Sequence, residues 1–312
     1  MFLSSDSFAD PYPLARYLRE TDPVHWSAEA HAWILTRYDD VASGLHDPRF
    51  SADRLPAQAR LSQLGVDHLG PLFDTMRRML TFVDPPVHTH LRRLANKGFT
   101  RSSVEGWRVT TQAIVDRLLD RVAADGTMDV IADLARPLPL AVIAEVIGIP
   151  QSEHGRLRRW SQAMGRFFGN LEHSAQQLGD VQRDILEFTA YLHGLIDLRR
   201  GDAGAGADVV SALVRDAGDV FPDDELVATL ILLVGAGTVT TTDLLGNAVL
   251  ALLCHPAHAA RLRNQEASPA LLSAAVEELL RYDSPVQMTG RLLAADVEIG
   301  HRRMGRGQSV LF

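Results

Sequence analysis

The strongest constraint in this chain is the apolar run from Leu226 to Cys254, long enough to span a bilayer, which takes roughly 20 apolar residues. At its middle the run carries Thr238, Thr240, Thr241, Thr242, Asp243 and Asn247, and it has no aromatic anchors at its ends. A charge and an amide at mid-membrane would cost several kcal/mol without partners. The sequence therefore predicts a long helix through the centre of a globular protein, not a membrane span.

A helix of that length needs a large core around it, and 312 residues with 46% hydrophobic and 22% charged content can supply one large domain or two ordinary ones. The formal net charge of -8 leaves no basic footprint for nucleic acid or an anionic membrane. One cysteine, Cys254, rules out an internal disulfide framework and a multi-cysteine zinc site, which fits a reducing cytoplasm. The start, Met1-Phe-Leu-Ser-Ser-Asp, has neither the basic residues nor the apolar core of a secretory signal. No metal site is expected.

Before the long run, residues 13–19 read as a short helix, 24–26 and 32–36 as strands, and Tyr38 opens a helix that ends at Asp47-Pro48. Residues 54–80 have weak periodicity and read as a mixed loop. From Pro85 onward the pattern is helical, with apolar faces at Ile114, Leu118, Leu119 and Val122 and again over 138–147, which Gly148-Ile-Pro closes. Residues 153–199 read as helix interrupted near Gly165 to Asn170, and 201–206 as a flexible break. Helices over 208–214 and 270–282 follow. After Pro285 the pattern turns to strands at 289–293, 297–299, 302–304 and 309–312.

Four local patterns carry candidate chemistry. In Asp84-Pro-Pro-Val-His-Thr-His-Leu-Arg, a diproline starts a helix and sets His88 and Arg92 four residues apart on one face. That pair suits a carboxylate or phosphate, although from spacing alone an ordinary exposed basic face ranks first. In Leu233-Val-Gly-Ala-Gly-Thr-Val-Thr-Thr-Thr-Asp, glycines and threonines interrupt the apolar helix. Gly237 there costs roughly 1 kcal/mol relative to Ala, so either a ligand approaches closely or the helix packs tightly. Glu278 and Arg281 stand three apart and can pair, most often as surface decoration worth about 0.3–0.5 kcal/mol. Arg291 begins a strand, where it either binds an anion or snorkels.

Read together and in order, these patterns resemble the bacterial cytochrome P450 family. Supporting phrases are Trp33-Ile-Leu-Thr-Arg-Tyr-Asp-Asp-Val, Asp47-Pro-Arg-Phe-Ser, Phe82-Val-Asp-Pro-Pro, Leu138-Pro-Leu-Ala-Val-Ile-Ala-Glu-Val-Ile-Gly-Ile-Pro and Ala275-Val-Glu-Glu-Leu-Leu-Arg-Tyr-Asp-Ser-Pro-Val-Gln. The resemblance implies a mostly α fold with a small β-sheet built from the first and last strands, as a single domain over residues 1–312 that is C-terminally incomplete. It implies haem b (iron protoporphyrin IX), whose thiolate ligand is not in this chain. His88, Arg92 and Arg291 would hold propionates, while Ala236, Gly237 and Thr240 would line the distal face. Thr240, Thr241 and Asp243 would support proton delivery, and Glu278 with Arg281 would form a structural ion pair.

The implied reaction is insertion of one oxygen atom into a small hydrophobic substrate, such as a polyketide, terpene or steroid, with a ferredoxin-type electron donor in the cytoplasm. Substrate contacts are expected from residues 54–80, from 165–178 and from 232–240. The chain departs from the family at Val239, where relatives carry Asp or Glu, and at Val87 before His88. Cys254 is expected to be a small core residue. Two other readings stand beside this one: a haem-free homologue that activates a partner such as a glycosyltransferase, and an inactive truncation with exposed sheet edges.

Overall fold

A computed structural model describes residues 10–55, 66–169, 174–201, 206, 208–217, 221–263 and 268–312. The chain divides into two compact units, one of residues 1–57, 80–89 and 287–312, the other of residues 58–79 and 90–286.

The first unit holds the strands. Helix α1 (Tyr12–Thr21) leads into β1 (Val24–Ser27) and β2 (Ala32–Leu35), which pair antiparallel and set Trp26 opposite Trp33, edge to face at 5.3 Å. Helix α2 (Tyr38–His46) starts with Asp39 and Asp40, whose charges suit a helix N-terminus. Strand β3 (Phe50–Ser51) follows, and β4 (Gly290–Leu293), β5 (Val297–Ile299), β6 (Arg302–Met304) and β7 (Ser309–Leu311) come from the far end of the chain.

The main sheet runs β1-β2-β7-β4-β3, with β2 and β7 parallel and the other neighbours antiparallel; β5 and β6 form a separate hairpin. The expected sharing of one sheet by the first and last strands is thus observed. Val24, Leu35, Phe50, Leu293, Val297, Met304 and Val310 make its core. Gly44 belongs to that packing, because a Cβ there would lie 2.5 Å from the Phe312 ring, which itself packs on Phe50.

The second unit is helical, with α3 (Gly70–Arg77), most of α4 (Val87–Gly98), α5 (Arg101–Ala123), a π-helical turn over Val130–Ala135 and α6 (Pro137–Ile147). Gly148, at φ 83°, ends α6 in the left-handed conformation that glycine tolerates. There follow α7 (His154–Gly169), α8 (Ala175–Gly201), α9 (Val209–Ala217), α10 (Asp223–Cys254), α11 (Pro256–Arg263) and α12 (Pro269–Tyr282).

Helix α10 is the predicted long helix. It packs on α6, α7, α8 and the π-helical turn, and buries Leu226 to Ile231, Val234, Gly235 and Thr238. By length and composition it could cross a membrane, yet 56% of its most apolar stretch is buried inside the protein. That is how a core helix behaves.

Four local expectations are adjusted. The interruption expected near Gly165 to Asn170 does not fall at Gly165, since α7 runs through it and ends at Gly169; α8 begins at Ala175, and Asn170 lies outside the described residues. The stretch read as a mixed loop contains α3, while residues 56–65 lie outside the described residues. Cys254 is exposed rather than buried, because the last turns of α10 leave Leu250 and Leu253 exposed as well. Leu119, expected on an apolar face, is also exposed while Ile114 and Leu118 are buried.

Candidate active site

The interrupted centre of α10 has one face packed and one open. Positions 236, 240, 243, 247 and 250 fall on a common stripe by helical spacing, and each is exposed or half-buried. On this stripe the Thr240 hydroxyl donates to the Ala236 carbonyl at 2.7 Å, and the Asn247 amide donates to the Asp283 carbonyl at 3.2 Å. Thr241 is half-buried. Asp243 reaches solvent, but its partial burial pushes the carboxyl above the ordinary carboxylate range.

The opposite side of α10 is held against α7. Thr238 is buried, donates to the Val234 carbonyl at 2.7 Å and meets the Ser161 hydroxyl at 2.8 Å. Its only hydroxyl proton is committed to the carbonyl, so Ser161 is the donor between the two side chains. A Cβ on Gly235 would come within 2.8 Å of Met164 Cβ, and one on Gly165 within 3.1 Å of Val239 Cγ2. Val239 therefore serves this helix contact from the α7-facing edge of the open stripe, four residues before Asp243. The vacant side-chain direction of Gly237 faces Ile143 of α6 at 3.4 Å, leaving only backbone at that position to line the stripe.

Glu278 and Arg281 on α12 meet through two hydrogen bonds of 2.7 Å. Both are exposed; the bonded Arg281 guanidinium lowers the Glu278 carboxyl below its usual range. Solvent screening makes such a pair weak in this setting. Leu272, Val276 and Leu280 of the same helix are exposed too.

On α4, His88 is half-buried at the edge of the face that buries Leu91, Leu94 and Ala95, and Arg92, one turn on, is exposed. Among the described residues neither side chain has a hydrogen-bond or ion-pair partner. His88 belongs to the first unit and Arg92 to the second, the division falling within the helix.

In the first unit, Arg291 of β4 is half-buried and donates from Nη1 to the Gly290 carbonyl at 2.8 Å and to the Thr289 hydroxyl at 3.4 Å. Burial lowers its basicity and nearby Asp84 partly restores it. Beside it lies Arg54, which sequence reasoning had placed only in a general substrate-contact segment. Its guanidinium covers the Phe82 ring at 4.6 Å, and burial together with the charge of Arg291 brings it down to about 10. A lone arginine after a two-residue strand has no spacing signal that would have singled it out. Only the β3–β4 register, with Ser51 opposite Leu292, brings it to Arg291.

Comparison with known proteins decides the affiliation. The family model for cytochrome P450 matches residues 205–312. Cytochrome P450 CYP107DY1 of Priestia megaterium is 37% identical over 289 residues, which cover 90% of this chain and 68% of the relative.

The chain belongs to the cytochrome P450 family.

Its other P450 relatives include the monooxygenase PikC of Streptomyces venezuelae, 36% identical over 99% of this chain and 71% of PikC. The P450BioI structure, solved with a fatty acid on an acyl carrier protein, superposes with a TM-score of 0.88 at 31% identity, covering 98% of this chain and 77% of that one. The P450 fold and the enzymatic, monooxygenase character of the family follow, and haem is the family's cofactor. The residues here fit that group. The open stripe at Ala236 and Thr240 suits a flat apolar ring, and the half-buried Arg54 and Arg291, which make no ion pair among the described residues, suit carboxylates. Among the described residues there is no cluster of metal-ligating side chains.

Proposed function

We propose that this P450 inserts one oxygen atom into a small hydrophobic substrate of the secondary-metabolite kind, using haem b and a ferredoxin-type electron donor in the cytoplasm. The observation that carries the reading is the α10 stripe, where Thr240 sits on the open face with its hydroxyl anchored to the Ala236 carbonyl. Bound haem with its thiolate supplies oxygen activation and C–H cleavage. Everything else falls to the residues of the chain.

His88, Arg92 and Arg291 bind the propionates, and the lack of an ion pair at any of the three among the described residues supports that role. Ala236 and the backbone at Gly237 leave room for the ring. The Thr240 hydroxyl spends its proton on Ala236 and keeps its lone pairs free, so it accepts a hydrogen bond from a water or a substrate and orients it. With Val239 committed to Gly165, Asp243 is the carboxylate on the Thr240 stripe. Its raised pKa lets it hold and release a proton closer to neutrality than an ordinary Asp. Thr241 is a second hydroxyl beside it. Glu278 and Arg281 brace α12. Substrate is bordered by residues 232–240 and by the described parts of 54–80 and 165–178; the polyketide-biosynthesis P450 PksS of Bacillus subtilis, a relative 34% identical, supports a polyketide-like molecule.

Turnover with a ferredoxin and its reductase under ¹⁸O₂ tests this. Product carrying one labelled oxygen, with Thr240→Ala diverting electrons to peroxide, supports the reading. Substrate oxidised without label in the product, or a Thr240→Ala variant that couples electrons to product as well as the parent, contradicts it.

A further inference from the structure

Arg54 and Arg291 place two guanidinium groups side by side in the first unit, and among the described residues neither makes an ion pair. Arg54 spends only Nη1, on the Thr81 carbonyl at 3.2 Å and the Ala52 carbonyl at 3.4 Å, leaving Nε and Nη2 without partners among the described residues. Arg291 likewise spends only Nη1. The Arg54 stem lies against Gly290, Cδ 3.5 Å from where a Cβ would stand, so its head is held next to the start of β4.

The carboxylate that acts on Arg291, Asp84, is already engaged: it accepts from the Ser51 hydroxyl and, at 2.8 Å, from the Ala52 N–H. Anchoring the turn alone would not require a second buried cation beside Arg291. Like charges in a partly buried site repel, and an anion between them removes that cost.

We infer that Arg54 and Arg291 together hold one carboxylate, with Arg54 as an anion-binding residue in its own right. The planar forks of two arginines match a carboxylate's two oxygens, and Phe82 keeps the Arg54 fork flat beneath it. The carboxylate comes either from a haem propionate, which rests on the proposed function, or from an acidic substrate.

Titrations with haemin, haemin dimethyl ester and dodecanoate, followed by tryptophan quenching and calorimetry, separate these sources. Arg54→Met keeps the stem over Phe82 and removes the charge; Arg54→Lys restores charge without the fork, and circular dichroism checks that both fold. A loss of about tenfold or more in haemin affinity in Arg54→Met, a smaller loss in Arg54→Lys, and no change for the dimethyl ester assign the site to a propionate. The same loss confined to dodecanoate assigns it to a substrate carboxylate. If the parent chain takes up no haemin in either form, the haem reading fails by itself and the dodecanoate arm decides. Unchanged affinity for both carboxylates in Arg54→Met, or no binding of either by the parent, overturns the inference.

Discussion

Val239 and Gly165 are in contact across α10 and α7, with Val239 Cγ2 3.1 Å from the position a Cβ on Gly165 would take. The family resemblance implies an acid where this chain has Val239, so introducing one is the obvious repair for proton delivery. The contact argues otherwise. In Val239→Glu the carboxylate is carried toward α7 and loses solvation without gaining a partner there, which costs about 1–3 kcal/mol. Urea denaturation should show a lower midpoint, with no gain in coupling of electrons to product. An unchanged midpoint with improved coupling would mean that position 239 does face the site.

Gly235→Ala tests the same helix pair from the other side. The added methyl would stand 2.8 Å from Met164 Cβ, a backbone-proximal atom that cannot swing away. Overpacking of this kind costs about 1–3 kcal/mol, and the better helix propensity of Ala returns roughly 1 kcal/mol. A net loss of up to about 2 kcal/mol in chemical denaturation is expected. Stabilisation would contradict the tight α7–α10 contact.

Asp184 on α8 is buried, its side chain 3% exposed, and accepts from Arg159 at 3.2 Å and Arg166 at 3.0 Å on α7. Removing it leaves these two arginines and Arg183, 3.8 Å away, all still reaching water, so Asp184→Ala should cost about 1–3 kcal/mol, less than breaking a fully buried pair. The double variant Arg159→Ala, Arg166→Ala on the Asp184→Ala background should add less than the sum of the separate effects. Simple additivity would show that the network carries no coupling.

For Asp243, burial raises the carboxyl above its unfolded value. A group shifted in that direction favours the fold where it is protonated, and the contribution is lost as pH rises through the folded-state value. Asp243→Asn should therefore melt higher than the parent at pH 7, and the gap should narrow as pH falls toward about 4, the range of an unshifted Asp. A gap that stays constant across that range would mean that charge at Asp243 is not what destabilises the parent.

Much of the architecture was readable from periodicity. The long helix, the early hairpin and the late strands all rest on local patterns strong enough to survive tertiary context, and the structure places them close to the predicted bounds. What periodicity did not deliver was aim. Val239 and Thr240 are neighbours in sequence, yet a helix turns about 100° per residue, so one packs on α7 while the other lies on the open stripe. Arg54 needed the β3–β4 register to acquire meaning, because nothing local distinguishes it from any loop arginine. Cys254 was misjudged because an apolar sequence says that a residue can be buried, not that a neighbour is there to bury it.

The most direct test of the central claim is a haemin titration of the folded apo-chain, followed by reduction and addition of carbon monoxide. Saturable one-to-one uptake, weakened in Arg291→Met and Arg92→Met and giving a Soret band that moves with carbon monoxide, is the result this account predicts. A chain that circular dichroism shows to be folded, yet leaves haemin free at every concentration, would contradict it and favour a haem-free partner protein built on the same fold.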